Sequence, residues 1–176
     1  PTIFADTMRP VSSFPHRTQS ETPDAGLVLG DPYGNTYFVP GGQQLRTARQ
    51  AQVSEHSHKD STTHGDFATA WLDHGVTPQN EGYEYAILVQ TSPADAAAFA
   101  DRMRNPATAD YQILARSTRH HIVHDRPTGI TGYALFEAGP IEAGIVESVS
   151  APCFVMTQLR GDRLHISLTD PDLRMQ

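Results

Sequence analysis

Residues 153–168 read CFVMTQLRGDRLHISL, and this stretch decides the fold class. Two runs rich in apolar and β-branched residues flank a polar tetrapeptide that contains Gly-Asp, which a hairpin turn favours. We therefore predict two strands, Cys153–Leu159 and Leu164–Leu168, joined by a tight turn over Arg160–Arg163. The tripeptide Arg160-Gly161-Asp162 matches a cell-adhesion motif, but its position between two apolar runs favours a turn.

The same pattern of short apolar runs between turn residues continues along the chain. A polar segment, Ser54–Gly65, is predicted as a loop, and Leu45–Val53 alternates weakly, as an edge strand does. One helix is predicted from Pro93 to about Arg104, because Ser92 is a suitable N-cap and Pro93 suits the first helical position. The other predicted strands are Thr2–Phe4, Gly26–Gly30, Thr36–Val39, Phe67–Asp73, Tyr83–Val89, Tyr111–Ala115, His120–His124 and Gly132–Phe136. Together these elements predict an all-β fold, an antiparallel β-sandwich with one short helix around 93–104, forming a single domain over 1–176.

Composition narrows the class of partner. The chain has 176 residues and a formal net charge of -7, which argues against nucleic acid, and no apolar run is long enough for a membrane span. Its 13 cations comprise Lys59 and twelve arginines, and arginine suits the recognition of carboxylate and sulfate. Cys153, the only cysteine, lies in an apolar run and is predicted to be a buried thiol. The start at Pro1, with no leader pattern, indicates a trimmed or excised chain.

The densest group of histidines is His56, His58 and His64. His-x-His on an extended segment places two rings on one side, as a metal site requires. The alternatives are a solvated polar loop or a loop near the active cleft of a larger enzyme. Since a zinc site needs well-placed third and fourth ligands, we predict no metal and no other cofactor.

Trp71-Leu72-Asp73-His74 contains an Asp-His pair that could be interpreted as catalytic. Adjacent residues on a strand point to opposite faces, so Asp73 cannot readily orient the ring of His74. We predict that Asp73 and His74 end a strand and cap its turn into Gly75, and that Trp71 is a core residue. Because Trp71 is the only tryptophan, we expect no sugar-binding platform of several rings.

Two further groups have structural and functional interpretations. His120 and His124 share one face of a predicted strand with His121 opposite, and an exposed edge is the favoured interpretation. Tyr83 and Tyr85 share one strand face and could stack on sugar rings, although half-buried strand tyrosines are more common.

A resemblance to a known family extends along nearly the whole chain. The run Gly65-x-Phe67-x-x-Ala70-Trp71-Leu72-Asp73-His74-Gly75, then Pro78, then Tyr83-Glu84-Tyr85, resembles polysaccharide lyase family eight, and chondroitin ABC lyase in particular. Hyaluronate and xanthan lyases are more distant. Segments in the same order that also fit are Gly34-Asn35-x-Tyr37, Arg49-Gln50-x-Gln52-Val53-Ser54, Thr131-Gly132-Tyr133-Ala134, Val155-Met156-Thr157 and Pro171-Asp172-Leu173.

The resemblance implies a fragment of a larger lyase. Such enzymes combine a helical toroid, a central β super-sandwich of galactose-mutarotase-like fold and a small C-terminal β-domain, and this chain resembles the later half of the super-sandwich. They cleave uronic-acid-containing polysaccharides, such as chondroitin sulfate, dermatan sulfate and hyaluronan, by β-elimination. The family's catalytic motif positions fall outside this chain, so we carry over no catalytic residue. The implied partners are the acidic polysaccharide and the other two domains, and the implied location is secreted or periplasmic in a bacterium.

Two rival functions remain open at this point. The chain could be a freestanding carbohydrate-binding or assembly module, which should show an arginine or aromatic patch on one face. A buttress within a larger enzyme should instead show an apolar face left bare by its partner. A sugar-modifying enzyme such as a mutarotase would need a histidine and a carboxylate converging in a pocket, and the sequence gives no support for that pairing.

Overall fold

The computed structural model describes residues 19–22, 24–31, 33–55 and 62–171. The chain divides into two compact units, Pro1–Arg104 and Asn105–Gln176. Strands with antiparallel pairing dominate both units, and one helix is present in the described part, so the predicted all-β class is confirmed. That the two units form one folding domain stays a prediction. The predicted strand at Thr2–Phe4 lies outside the described residues.

The first unit contains two three-stranded sheets, with strand orders β1-β4-β5 and β2-β3-β6. Its elements are β1 Gln19–Glu21, β2 Leu27–Gly30, β3 Thr36–Val39, β4 Leu45–Glu55, β5 Thr62–Leu72, β6 Ala86–Leu88 and helix α1 Pro93–Met103. β4 and β5 form a long hairpin that pairs in register from Leu45–Leu72 to Glu55–Thr62. Leu27, Leu29, Val39 and Leu45 form a buried cluster, because alternate strand residues point to one face.

Helix α1 begins where the capping pattern predicts. Ser92 is the N-cap, and its hydroxyl accepts a hydrogen bond from the backbone N–H of Asp95 over 3.2 Å. Ala96, Phe99 and Ala100 form the buried face, and the ring of Phe99 meets that of Phe38 edge-on at 5.5 Å. The helix thus covers part of the β2-β3-β6 sheet with its apolar side. No helix among the described residues is long and apolar enough to cross a membrane.

The second unit contains one five-stranded sheet and a short two-stranded ribbon. Its strands are β7 Tyr111–Arg116, β8 His120–Asp125, β9 Ile130–Leu135, β10 Gly139–Pro140, β11 Ser148–Val149, β12 Cys153–Arg160 and β13 Arg163–Thr169. The large sheet has the order β13-β12-β9-β8-β7, so β13 forms one edge of it. The core comprises Ile122, Tyr133, Leu135, Cys153 and Val155, which confirms Cys153 as a buried thiol. Burial, and then the charge of Asp170, raises the pKa of that thiol.

One strand prediction and one loop prediction are wrong in their extent. Tyr83–Val89 forms a ladder only over Ala86–Leu88, where it pairs with β3. Before that point, the backbone N–H and C=O of Glu84 bond to the side-chain amide of Gln43 rather than to a strand. The predicted loop Ser54–Gly65 is also too long, because cross-strand pairing extends β4 to Glu55 and starts β5 at Thr62.

Two predictions of an edge differ from the structure. The edge predicted for Leu45–Val53 is wrong at its start, because Leu45–Thr47 pair with β1 as well as with β5, whereas the rest of β4 pairs only with β5 in the described residues. β8, which carries His120, His121 and His124, lies inside the large sheet between β7 and β9. Strand neighbours depend on pairing between distant segments, and polarity along one strand does not determine them. The predicted turn at Arg160–Arg163 is confirmed, with Gly161 at a φ of 62°.

Candidate aromatic groove

An open groove with a volume of about 1080 Å³ lies within the first unit. It is lined by residues of β2 to β6 and of the connection between β5 and β6. The lining residues are Leu29, Gly30, Asp31, Tyr33, Tyr37, Val39, Leu45, Thr47, Asp66, Phe67, Ala68, Thr69, Ala70, Trp71, Leu72, His74, Tyr83, Tyr85 and Ile87. Its size slightly exceeds the usual range of small-molecule pockets, roughly 300–1,000 Å³.

Most aliphatic residues of this groove are buried and most aromatic ones are exposed, although the aliphatic Ile87 is 50% exposed. Leu29, Val39 and Leu45 are buried and belong to the core cluster of the unit. The exposed lining residues are mainly aromatic, and we call this set the aromatic rim: Tyr33 at 84% exposure, Tyr83 at 63%, Phe67 at 53%, Tyr85 at 50% and Trp71 at 37%. The prediction that Trp71 is a core residue is therefore wrong, whereas the prediction that the chain has no sugar-binding platform of several rings stays untested.

Tyr83 and Tyr85 form the most ordered part of the rim. Their ring centroids are 6.2 Å apart and their planes differ by only 19°, which is a stacked arrangement. The ring of His74 lies 6.4 Å from that of Tyr83 and is tilted by 39°. Stacked rings with exposed faces provide a flat apolar surface, and the phenol hydroxyls add polar ends. This supports the minority interpretation of the two tyrosines as a stacking surface.

Asp31 organises the turn at one end of the groove. Its carboxylate accepts hydrogen bonds from the backbone N–H of Tyr33 and of Asn35, at 2.8 and 2.9 Å, and from Asn35 Nδ2 at 2.8 Å. The hydroxyl of Tyr37 lies 3.5 Å from the second carboxylate oxygen. Partial burial acts to raise the pKa of Asp31, but these hydrogen bonds outweigh it and hold the pKa below its usual value.

The pKa of Tyr37 shifts in the opposite direction to that of Asp31. Burial raises the pKa of its phenol, and the nearby charges of Asp31 and then Tyr85 raise it further. Tyr37 therefore stays protonated at neutral pH and acts as a donor toward Asp31. The charge at this end of the groove is a single carboxylate, whose oxygens are occupied by its own turn.

The cations near the groove are paired with acids. Arg49 Nε lies 3.1 Å from Asp66 Oδ2, and Arg46 Nη2 lies 2.5 Å from Asp73 Oδ2. Asp73 also accepts a hydrogen bond from Gly75 N at 3.1 Å, which confirms the predicted turn cap. Asp73 therefore does not orient the ring of His74, whose Nδ1 lies 4.0 Å from Glu81 Oε2.

The other predicted histidine groups do not form a site in the described residues. His64 lies in β5 with its ring 3.2 Å from the Thr62 hydroxyl, whereas His56 and His58 lie outside the described residues. No group of three or more potential metal ligands occurs in 19–22, 24–31, 33–55 or 62–171. His124 Nδ1 bonds to Thr131 Oγ1 at 3.0 Å, and His121 packs edge-on against Phe136. The prediction that His56, His58 and His64 hold no metal stays untested.

Sequence reasoning missed Tyr33, Phe67 and Gln43 as contributors to this region. The signal for Phe67 was its even spacing from Trp71 on one strand, which places both on the same face. Tyr33 lies in a turn, where no periodicity exists. Gln43 acts through a contact with a residue 41 positions away, which no local pattern reveals.

Comparisons with known proteins agree with this architecture. The family profile described as polysaccharide lyase family 8, super-sandwich domain, matches residues 2–100. The chain is 32% identical over 165 residues to the chondroitin sulfate ABC endolyase of Proteus vulgaris, which covers 94% of this chain and 16% of that protein. It is 33% identical over 150 residues to the chondroitin sulfate ABC exolyase of Proteus vulgaris, covering 84% of this chain and 14% of that protein.

Solved structures show the same fold. The structure of Paenibacillus xanthan lyase matches with a TM-score of 0.70 and 25% identity, covering 89% of this chain and 16% of that chain. The chain thus spans about a sixth of the length of these relatives. Because the super-sandwich profile matches more than half of the sequence, the chain belongs to polysaccharide lyase family 8.

Proposed function

We propose that this chain is the super-sandwich portion of a lyase that cleaves uronic-acid-containing glycosaminoglycans by β-elimination. In this role the segment is structural and lines part of the cleft. The observation that carries the proposal is the super-sandwich match over residues 2–100, together with relatives named as chondroitin sulfate ABC lyases. A freestanding carbohydrate-binding module is the weaker alternative, since the relatives carry this segment within much longer chains.

The chemistry of the groove favours a structural role over a catalytic one. β-Elimination requires a group that neutralises the uronate carboxylate, a base for the C5 proton and an acid for the leaving oxygen. In the described part of the chain, Arg46 and Arg49 are already paired with Asp73 and Asp66. The Nδ1 atom of His74 lies 4.0 Å from Glu81 Oε2. In this proposal the catalytic groups come from other parts of the parent enzyme.

The parent enzyme supplies the remaining partners in this proposal. A helical toroid domain and a small C-terminal β-domain would pack on the sandwich, and an acidic polysaccharide would be the substrate. Because such a polymer lies outside the cell, the parent protein would be secreted or periplasmic in a bacterium.

A graft into a relative tests the proposal. The aligned segment of the Proteus vulgaris chondroitin sulfate ABC endolyase is replaced by this chain, and the ultraviolet absorbance of the unsaturated uronate product is followed. We expect the chimera to act on chondroitin sulfate and the isolated chain to give flat traces with chondroitin sulfate, dermatan sulfate and hyaluronan. The control is a chimera in which Tyr133→Asp disrupts the buried core of the graft.

Two outcomes would contradict the proposal. A folded chimera that is inactive on all three polymers would show that the graft does not serve as the sandwich. A rising trace from the isolated chain would show that it contains an active site. In that case His56, His58, His64 and His74 are the first bases to substitute.

A further inference from the structure

We propose that two copies of this chain associate through strand β13, with the two strands antiparallel and related by a two-fold axis at Ile166. The surface belongs to the second unit, and its association is independent of the proposed function. The five-stranded sheet of that unit has two edges, β7 and β13, which differ in their regularity.

Only one of these edges is suited to pairing with a further strand. The pairing of β7 with β8 shifts register between Ile113 and Ala115, and such an irregularity bends an edge and hinders further pairing. β13 pairs with β12 without a shift from Arg163 to Thr169, and no described strand lies on its other side. β13 is therefore a regular edge that carries a row of free backbone groups.

The free backbone groups belong to the same residues that expose apolar side chains. The turn between β12 and β13 has two residues, so Arg160 and Arg163 flank it as a hydrogen-bonded pair. Bonded and non-bonded pairs alternate along an antiparallel ladder, which directs the N–H and C=O groups of Leu164, Ile166 and Leu168 away from β12. The side chains of these three residues are all exposed. A strand that pairs there gains main-chain hydrogen bonds and contacts three aliphatic side chains.

The order of residues along β13 favours a second copy as the occupant of this edge. Two identical antiparallel strands related by a two-fold axis place one residue opposite itself. With that axis at Ile166, Leu164 of one copy lies opposite Leu168 of the other. An axis at Leu164 would place Ile166 opposite Asp162, and an axis at Leu168 would place it opposite Asp170. Of the three axes that the free backbone groups allow, only the one at Ile166 pairs every apolar residue of the edge with another.

The charges of β13 permit this approach. The chain has a formal net charge of -7, but the strand contains none of its 20 acidic residues. With the axis at Ile166, His165 lies opposite Ser167. Arg163 lies opposite Thr169, so the strands bring no two like charges directly together. Repulsion between copies therefore comes from the rest of the surface, and added salt should strengthen the association by screening it.

Sedimentation velocity measures the association of the full chain. We expect the mass to rise from 19.3 kDa toward twice that value between about 1 μM and 1 mM, since a small interface binds weakly. Ile166→Lys should raise the Kd at least about tenfold, because it places two ammonium groups opposite each other at the axis.

Ile145→Lys is the matched control for this variant. Ile145 is 60% exposed against 61% for Ile166, and it lies outside β13, so the same change of charge should leave the Kd within about twofold. Circular dichroism verifies the folding of both variants.

Disulfide crosslinking tests the register of the pair. Ile166→Cys places two thiols on directly opposite residues, whose Cα atoms are about 5.5 Å apart, a separation that a disulfide spans. Leu164→Cys is the control on the same edge, because its two copies lie roughly 14 Å apart along the strands. Mild oxidation should give a covalent dimer of the first variant and about tenfold less of the second. The native thiol of Cys153 is buried and does not compete.

Three results would contradict the two-fold pairing. A single species of 19.3 kDa up to about 1 mM would exclude the pair and would favour a strand of the parent enzyme as the occupant of the edge. Association that Ile166→Lys leaves unchanged would place the contact elsewhere on the surface. Equal crosslinking of Ile166→Cys and Leu164→Cys would exclude the axis at Ile166. None of these results bears on the lyase proposal, which the chimera tests separately.

Discussion

The side-chain amide of Gln43 pairs with the backbone of Glu84 as a second strand would. Gln43 Nε2 donates to Glu84 O over 2.7 Å, and Glu84 N donates to Gln43 Oε1 over 2.8 Å. Glu84 lies between Tyr83 and Tyr85, so this pair of bonds fixes the backbone that carries the stacked rings.

Gln43→Ala should lower the free energy of unfolding by about 1–3 kcal/mol, because it leaves the partly buried polar groups of Glu84 without their partner. Urea unfolding followed by Trp71 fluorescence measures this. Gln43→Glu keeps the shape but replaces the donor with a carboxylate facing a carbonyl, so it should also destabilise. Gln79→Ala, at an exposed position, is the control. Equal stability of the Gln43 and Gln79 variants would show that the paired bonds contribute nothing.

Asp31→Ala should destabilise the chain at pH 7 by roughly 1.5–3 kcal/mol, since a charged acceptor of several hydrogen bonds is lost. The pKa of Asp31 is lowered in the folded state from its ordinary 3.8. The stability that Asp31 contributes is therefore complete above pH 3.8, and it is lost as the pH falls through the lower pKa of the folded state. The stability difference between wild type and variant should shrink accordingly in urea unfolding below pH 3.8.

The matched control for this pH series is Asp24→Ala, because Asp24 is exposed. A difference between wild type and Asp31→Ala that does not change with pH would contradict the role given to the ionised carboxylate.

Cys153 should react slowly with a thiol reagent in the folded chain. The side chain is 4% exposed, and burial, followed by the charge of Asp170, raises its pKa, so little thiolate is available at pH 8. Reaction with an aromatic disulfide reagent should accelerate at least about a hundredfold in denaturant. Because this is the only cysteine, the absorbance change reports on it alone. Fast labelling under native conditions would contradict its burial.

Ser92→Ala should cost about 1 kcal/mol of stability, because the N–H of Asp95 loses its capping acceptor. Ser92→Thr, which keeps a hydroxyl that can accept from Asp95 N and donate to Asp95 Oδ2, serves as the matched variant and should retain most of the stability. Thermal unfolding by circular dichroism compares the three proteins. If the alanine and threonine variants unfold together, the cap is not a determinant of helix α1.

Local signals predicted most of the strands and the helix. The hairpin of Cys153–Leu159 and Leu164–Leu168 and the cap at Ser92 depend on residues a few positions apart, and both are confirmed. The segment Tyr83–Val89 consists of residues that favour strands, but only three of them pair with β3. Strand formation needs a partner along its whole length, and a single sequence does not show where that partner ends.

The groove could not be predicted from the sequence, for a related reason. Its rim combines β5 with the turn before β3 and the segment before β6, and their proximity is set by tertiary packing. The only visible signals were Phe67 with Trp71 and Tyr83 with Tyr85, each at even spacing. Even spacing indicates a shared face, but not whether that face is buried, so the prediction of Trp71 as a core residue was wrong.

Strand β13 has a practical consequence for storage of the purified chain. It is the last strand of its sheet in the described part of the chain, and it exposes Leu164, Ile166 and Leu168 beside an open backbone edge. Such edges template pairing between copies, which grows into aggregates. The net charge of -7 keeps copies apart at low ionic strength, and salt screens that repulsion over about 10 Å at 0.1 M. Dilute stocks at low salt and neutral pH should therefore aggregate most slowly.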